Sequence, residues 1–170
     1  YGKYVVLEHD SVAPNLYSLY GHLDSIEPVL KKGVRVKVAQ KIGKMGNSAS
    51  YLIPLNRSHL HFEIGLRLTD DFQSWYNTKK FSSLNRHGNY SGFNLVGIDP
   101  LPFYAKYRAK AFKSPLDYIN SLPKEAKIRI RTKKIPDFAK RYPELCSFSP
   151  GNKSWNGWEC IFGPYGLPLK

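Results

Sequence analysis

From His59 to Ile64 the chain reads His-Leu-His-Phe-Glu-Ile, polar and apolar residues alternating one by one. A period of two is that of a strand lying on a core, with Leu60, Phe62 and Ile64 on one face and His59, His61 and Glu63 on the other. No other stretch constrains the fold as much, because it holds two imidazoles and a carboxylate side by side. Neighbouring segments follow the same grammar. Tyr4-Val5-Val6-Leu7 is rich in strand formers and is broken by the turn formers of Asp10 to Asn15, Pro14 among them. Leu16 to Tyr20 resumes the extended pattern and ends at Gly21. Val34, Val36 and Val38 alternate with Arg35 and Lys37, which predicts a further half-buried strand. Gly33, Gly43 and Gly46 punctuate short segments, and no long amphipathic helix is expected before residue 110. The class these segments predict is mainly β.

Later segments differ. Residues 69–96 turn polar and aromatic, with Trp75, Tyr76, Phe81, His87 and Tyr90, and read as a long loop or insertion. Gly97-Ile98-Asp99-Pro100-Leu101-Pro102 closes it. Ser114-Pro115 has the form of an N-cap followed by a first-turn proline, which predicts a short helix ending near Pro123. Lys127 to Arg131 reads as an exposed strand, and Pro136 as the start of a second short helix through Tyr142. Cys146 and Cys160 are the only cysteines, too few for a structural zinc site and matching no redox motif. A Cys146–Cys160 disulfide is expected in an exported protein, with two unrelated buried thiols as the alternative.

Lys and Arg total 26 against 13 Asp and Glu, a formal charge of +13 that attracts polyanions. The bases are spread along the chain and no nucleic-acid motif accompanies them, so nucleic acid is not the expected partner. Anionic wall polymers or membrane surfaces would be served equally well. No apolar run approaches the roughly 20 residues that span a bilayer. The chain opens on Tyr1-Gly2-Lys3-Tyr4 without Met, inside or just before a strand, which reads as a cut end.

Histidines stand at 9, 22, 59, 61 and 87. Catalytic zinc usually takes three protein ligands from His and carboxylate and keeps a position for water. A strand-borne His-x-His presents both rings to one side, so His59 and His61 could share a metal-centred site. Taken alone, the pair reads equally as a solvated surface feature, and Glu63 as a surface carboxylate or a histidine's partner.

Read together, four segments say more. Tyr4-Val5-Val6-Leu7-Glu8-His9, Leu19-Tyr20-Gly21-His22-Leu23, Gln40-Lys41-Ile42-Gly43-Lys44-Met45-Gly46-Asn47-Ser48 and His59-Leu60-His61-Phe62-Glu63-Ile64 follow in that order. Their order and spacing resemble the lysostaphin/LytM-type zinc metallopeptidases, with Gly97 to Pro102 similar to the segment that closes that fold. The resemblance covers residues 1 to about 104, interrupted at about 69–96, and leaves 105–170 as a C-terminal extension of unassigned role. It implies an antiparallel β-sheet domain with a groove and one catalytic Zn²⁺, followed by a small α+β extension. It makes His61 a zinc ligand, and it sets His22 and His59 beside the metal-bound water, one as general base and one stabilising the oxyanion. The implied reaction is hydrolysis of peptide bonds in peptidoglycan, in the cell envelope or outside the cell. His9 is expected to be structural and His87 a surface histidine.

The sequence also departs from the family. The family takes two further ligands from an upstream His-x-x-x-Asp, and none of the five histidines is followed by Asp at that spacing. A chain lacking its upstream ligands is the favoured reading, over a decayed enzyme. Ala39 and Ser50 stand where glycine is usual, and Tyr51 to Leu55 lengthens the loop before His59. The rival function is a LytM-like module without metal that binds the wall or regulates an amidase. In the insertion, Trp75, Tyr76, Phe81 and Tyr90 would either line a substrate groove or anchor the loop by packing.

Overall fold

The computed structural model describes residues 2–147 and 156–170, so Tyr1 and part of the Gly- and Trp-rich tail lie outside the described residues. The strands pair antiparallel wherever their register is defined, and the fold is mainly β with short helices in its later part. The chain divides into two units, one made of Tyr1–Glu8 and Tyr17–Glu63, the other of His9–Leu16 and Ile64–Lys170.

In the first unit, β1 (Lys3–His9) and β2 (Leu16–Ile26) are neighbours, and β2 also carries β3 (Gly43–Met45). The start of β4 (His61–Arg67) lies on the other side of β2. The alternation at 59–64 therefore reports a true strand, which begins two residues later than its first histidine. β2 is buried on both faces as far as Leu23, with Tyr17, Leu19 and Leu23 on one side and Leu16, Ser18 and His22 on the other. The β2–β3 register slips between Leu23 and Ser25, where β3 runs on into Gly46. A Cβ at Gly46 would stand 2.6 Å from the Asp24 nitrogen, so only glycine lets the two backbones approach there.

Val34 to Val38 does not form the expected strand. Turns closed by Val34 N–H to the Lys31 carbonyl and Gln40 N–H to the Lys37 carbonyl leave too few residues between them for a ladder. Val38 is fully exposed, so its alternation with lysine and arginine records no buried face.

In the second unit, Ile64 to Arg67 of β4 pair with β5 (Leu95–Ile98), in the register Ile64 to Ile98 and Leu66 to Val96. The insertion between them is ordered where a loop was expected. It carries α1 (Phe72–Thr78) and two single-turn 3-10 helices, at Gly88–Tyr90 and Gly92–Asn94. Buried Asn94 ties its two ends, donating to the Thr69 and Asn89 carbonyls at 2.9 and 2.8 Å and accepting from Thr69 N–H at 3.0 Å. Phe72 stacks on Trp75 at 5.2 Å, and Phe81 packs on Tyr76 at 4.7 Å and Phe93 at 5.5 Å. The Arg67 guanidinium lies 5.0 Å over the Tyr90 ring.

The proline-rich segment after β5 begins a helix, α2 (Pro100–Arg108), that the sequence reading passed over. Its prolines fall in the first turn, where no intrahelical N–H is needed, and Asp99 caps it by accepting from Leu101 N–H at 2.9 Å. The predicted helix after Ser114 is α3 (Pro115–Asn120), with a full capping box between Ser114 and Asp117. The exposed strand is β6 (Ala126–Ile130), and the helix after Pro136 is α4 (Asp137–Arg141). β6 pairs with β7 (Trp158–Phe162), its Lys127 and Arg129 meeting Glu159. Cys146 and Cys160 are free thiols, so the disulfide considered from the sequence is not formed. Burial raises both pKa values, Cys146 being raised further by Glu144 and Cys160 nearby. The reactive thiolate is accordingly scarce. No helix among the described residues is long and apolar enough to cross a membrane.

Candidate active site

The first unit gathers three of the predicted site residues. The His22 ring lies 4.8 Å from that of His59 and 5.6 Å from that of His61, edge to face in both cases. His22 comes from β2, His61 from the start of β4, and His59 from the residues before β4, held by a bridge to Gly46. Gly21 makes room for this convergence, since a Cβ there would already stand 3.3 Å from the His61 Cβ.

The partners of each ring decide which nitrogen carries a proton. His22 is buried, and its Nδ1 lies 2.7 Å from the Ser48 carbonyl, which only accepts. Nδ1 therefore donates, and in the neutral ring Nε2 holds the lone pair. His59 repeats the arrangement with the Arg57 carbonyl at 2.9 Å, from an exposed position. His61 is the reverse: its Nε2 lies 2.7 Å from Glu63 Oε1, so Nε2 donates to the carboxylate and Nδ1 is the lone-pair nitrogen. Tyr17, 2% exposed, donates to Glu63 Oε2 at 3.2 Å and steadies that carboxylate from below. A carboxylate on the far nitrogen of a histidine is the arrangement that fixes a metal-binding tautomer.

His22 holds a left-handed backbone, φ 58°, inside a strand. Such a residue costs about 1–3 kcal/mol and persists only where its surroundings over-determine it. Ser48 is the main constraint. Its carbonyl accepts from His22, its hydroxyl donates to the Leu23 carbonyl at 2.7 Å, and the same hydroxyl accepts from Lys3 N–H at 2.8 Å. Sequence reasoning quoted Ser48 and Tyr17 but gave neither a task. Their one signal was position, Ser48 just after Gly46-Asn47 and Tyr17 at the head of β2.

His9 and His87 both lie in the second unit, apart from the ligand and catalytic assignments. Burial lowers the His9 pKa, partly opposed by Asp10. Among the described residues no three His, Cys, Asp or Glu side chains gather as a metal-holding group. The donors present therefore do not make up a zinc site by themselves.

Residues 1–73 match the family model of Peptidase family M23. This is the lysostaphin/LytM-type family to which the four motifs pointed. The M23 match takes in His22, His59 and His61 and ends before Gly97 to Pro102. It gives this segment a peptidase-family kind of function, in a family that is generally zinc-dependent and acts on peptidoglycan peptides. No curated protein and no solved structure gives a significant match to the chain.

Proposed function

We propose that this chain contributes to hydrolysis of peptide bonds in bacterial cell-wall peptidoglycan, in the envelope or outside the cell, as the later part of a zinc metalloendopeptidase domain. The observation that carries the reading is the convergence of three histidine rings, His22 lying 4.8 Å from His59 and 5.6 Å from His61. By the family resemblance His61 would be the metal ligand, through Nδ1, with Glu63 holding the ring from Nε2. His22 and His59 present Nε2, which takes a proton from an attacking water or, once protonated, donates to the developing oxyanion. Bound zinc would acidify water and polarise the scissile carbonyl. The other ligands would be those of a His-x-x-x-Asp segment, which this sequence does not contain. In this reading the peptidase domain runs over residues 1–104 and 105–170 is its extension.

The test compares this chain with one joined to a segment bearing His-x-x-x-Asp. The chain alone is expected to hold zinc weakly and to leave wall peptides intact, whereas the joined form binds zinc at about one per chain and cleaves them. In the joined form His61→Ala loses the metal, and His59→Ala keeps it and lowers turnover. Tight equimolar zinc on the short chain, or cleavage unaffected by His61→Ala, would falsify the assignment. The lack of the two further family ligands in this sequence also favours a second reading, a metal-free module that binds wall peptides. Saturable binding of wall fragments by both forms, with hydrolysis by neither, would decide for it.

A further inference from the structure

The β6–β7 sheet of the second unit is covered along one edge only. On the outer side of β7, Ile161 N–H donates to the Lys170 carbonyl at 2.8 Å, and the Ile161 carbonyl accepts from Leu169 N–H at 2.8 Å. The same two bonds fix which way β6 faces. In an antiparallel ladder, residues that exchange both bonds with the partner strand alternate with residues that exchange none. Ile161 turns both its groups to the C-terminal residues, so its partner Lys127 sits in a pair without hydrogen bonds, and so does Arg129 opposite Glu159. Ala126, Ile128 and Ile130 carry the ladder to β7, and the Ile130 carbonyl accordingly crowds Gly157. The backbone N–H and C=O groups of Lys127 and Arg129 therefore point away from β7. Among the described residues no strand lies beyond β6, and all five of its residues are exposed.

An open edge of this kind is a template for another extended chain. Its side chains say which chain fits. Lys127 and Arg129 stand on one face and Ile128 and Ile130 on the other, the isoleucines 50% and 44% exposed. Between 124 and 134 six bases stand against Glu125 alone, and Glu159, which already meets both Lys127 and Arg129, does not balance them. A second copy of β6 is a poor occupant, because antiparallel self-pairing about Ile128 sets lysine opposite arginine twice, and like charges directly opposite destabilise a pair. We propose that β6 binds an extended acidic peptide as an added antiparallel strand, with carboxylates opposite Lys127 and Arg129 and an apolar residue between them opposite Ile128. Charge complementarity selects the acidic positions, the exposed isoleucine selects the apolar one, and the outward backbone groups set the register. The inference stands apart from the hydrolytic reading and does not depend on it.

The test titrates the full chain with a blocked, fluorescent peptide Ser-Glu-Val-Glu-Val-Glu-Ser, following anisotropy. Saturable binding that weakens with added salt is expected. N-methylation of the central Glu, whose N–H faces β6, should lower affinity about tenfold or more, whereas N-methylation of a Val, whose N–H faces solvent, should leave it nearly unchanged. A peptide of the same composition with its glutamates in one run should bind about tenfold more weakly, since it cannot present both faces. Arg129→Gln keeps the outward N–H and is expected to weaken binding several-fold. Arg129→Pro also removes that N–H, without touching the ladder to β7, and is expected to abolish binding, because an edge strand tolerates proline where its N–H faces solvent. Amide spectra report whether that variant folds, and the pair of N-methylated peptides decides on the unaltered chain if it does not. Absence of saturable binding, equal affinity of the two N-methylated peptides, or equal affinity for the run of glutamates overturns the proposal. Displacement of the peptide by a short DNA duplex, together with indifference to N-methylation, also overturns it and marks the strip as a surface that reads charge alone.

Discussion

Three histidines with one chemistry carry different nitrogens into the same space because a carbonyl sits behind two of them and a carboxylate behind the third. The difference is testable without metal or substrate. In Glu63→Ala the His61 ring loses the acceptor that holds hydrogen on Nε2, so its nitrogen chemical shifts should move towards a mixture of tautomers while those of His22 stay put. An unchanged His61 pattern would remove Glu63 from its positioning role. His9 allows a prediction of another kind. Its pKa is lowered in the folded chain, so the unfolded chain binds its proton first and folding stability rises with pH through that window. The contribution is fully present above about 6.5, the ordinary imidazole value, and is lost as pH falls through the lower folded value. His9→Gln should flatten this part of the stability profile, measured by urea unfolding between pH 7 and 5.

Short elements in this chain hold their shape through a few side chains at their ends. Ser114 and Asp117 cap α3 reciprocally, and Ser114→Ala should cost about 1 kcal/mol in urea unfolding. Asn94 binds both ends of the insertion from a site 1% exposed. Asn94→Ala strands several buried backbone groups, at about 1–3 kcal/mol for each one left unsatisfied. Such losses should appear as lowered stability and faster amide exchange across 69–94, and protection retained there would contradict the clasp. Within the insertion, Phe72 is 2% exposed and Trp75 is 40% exposed. Phe72→Ala is therefore expected to cost about 3–5 kcal/mol, with Trp75→Ala costing clearly less. Equal losses would show that the ring stack and not burial sets the energy.

At the scale of the molecule the charge of +13 dominates. With 26 bases against 13 acids, pairs such as Lys127 and Arg129 on Glu159 leave an excess of positive charge that repels itself across the surface. Added salt screens that repulsion over a Debye length that shrinks to about 8 Å at physiological strength. The melting temperature should thus rise between low salt and about 0.15 M, and a fall would mean that attractive pairs outweigh the excess.

Strict alternation at His59 to Ile64, the Ser114-Pro115 cap and the basic alternation at 127–131 were legible because each is a local pattern whose meaning does not depend on distant residues. The family followed from the order of four such patterns. Val34 to Val38 shows where the same logic fails: alternation is necessary for a half-buried strand, but a ladder needs a partner at the right distance, and two turns intervene. Prolines 100 and 102 misled for a related reason, since the first turn of a helix and the end of a segment both tolerate a missing N–H. The task of each histidine lay beyond any local pattern. Ser48 stands 26 residues from His22, and Tyr17 46 from Glu63, so only chain folding brings the carbonyl to one ring and the steadied carboxylate to the other. The sequence determined which residues have imidazoles to offer, and the tertiary structure decided which nitrogen each one presents, because a proton's place on a ring is set by whatever acceptor the fold puts behind it.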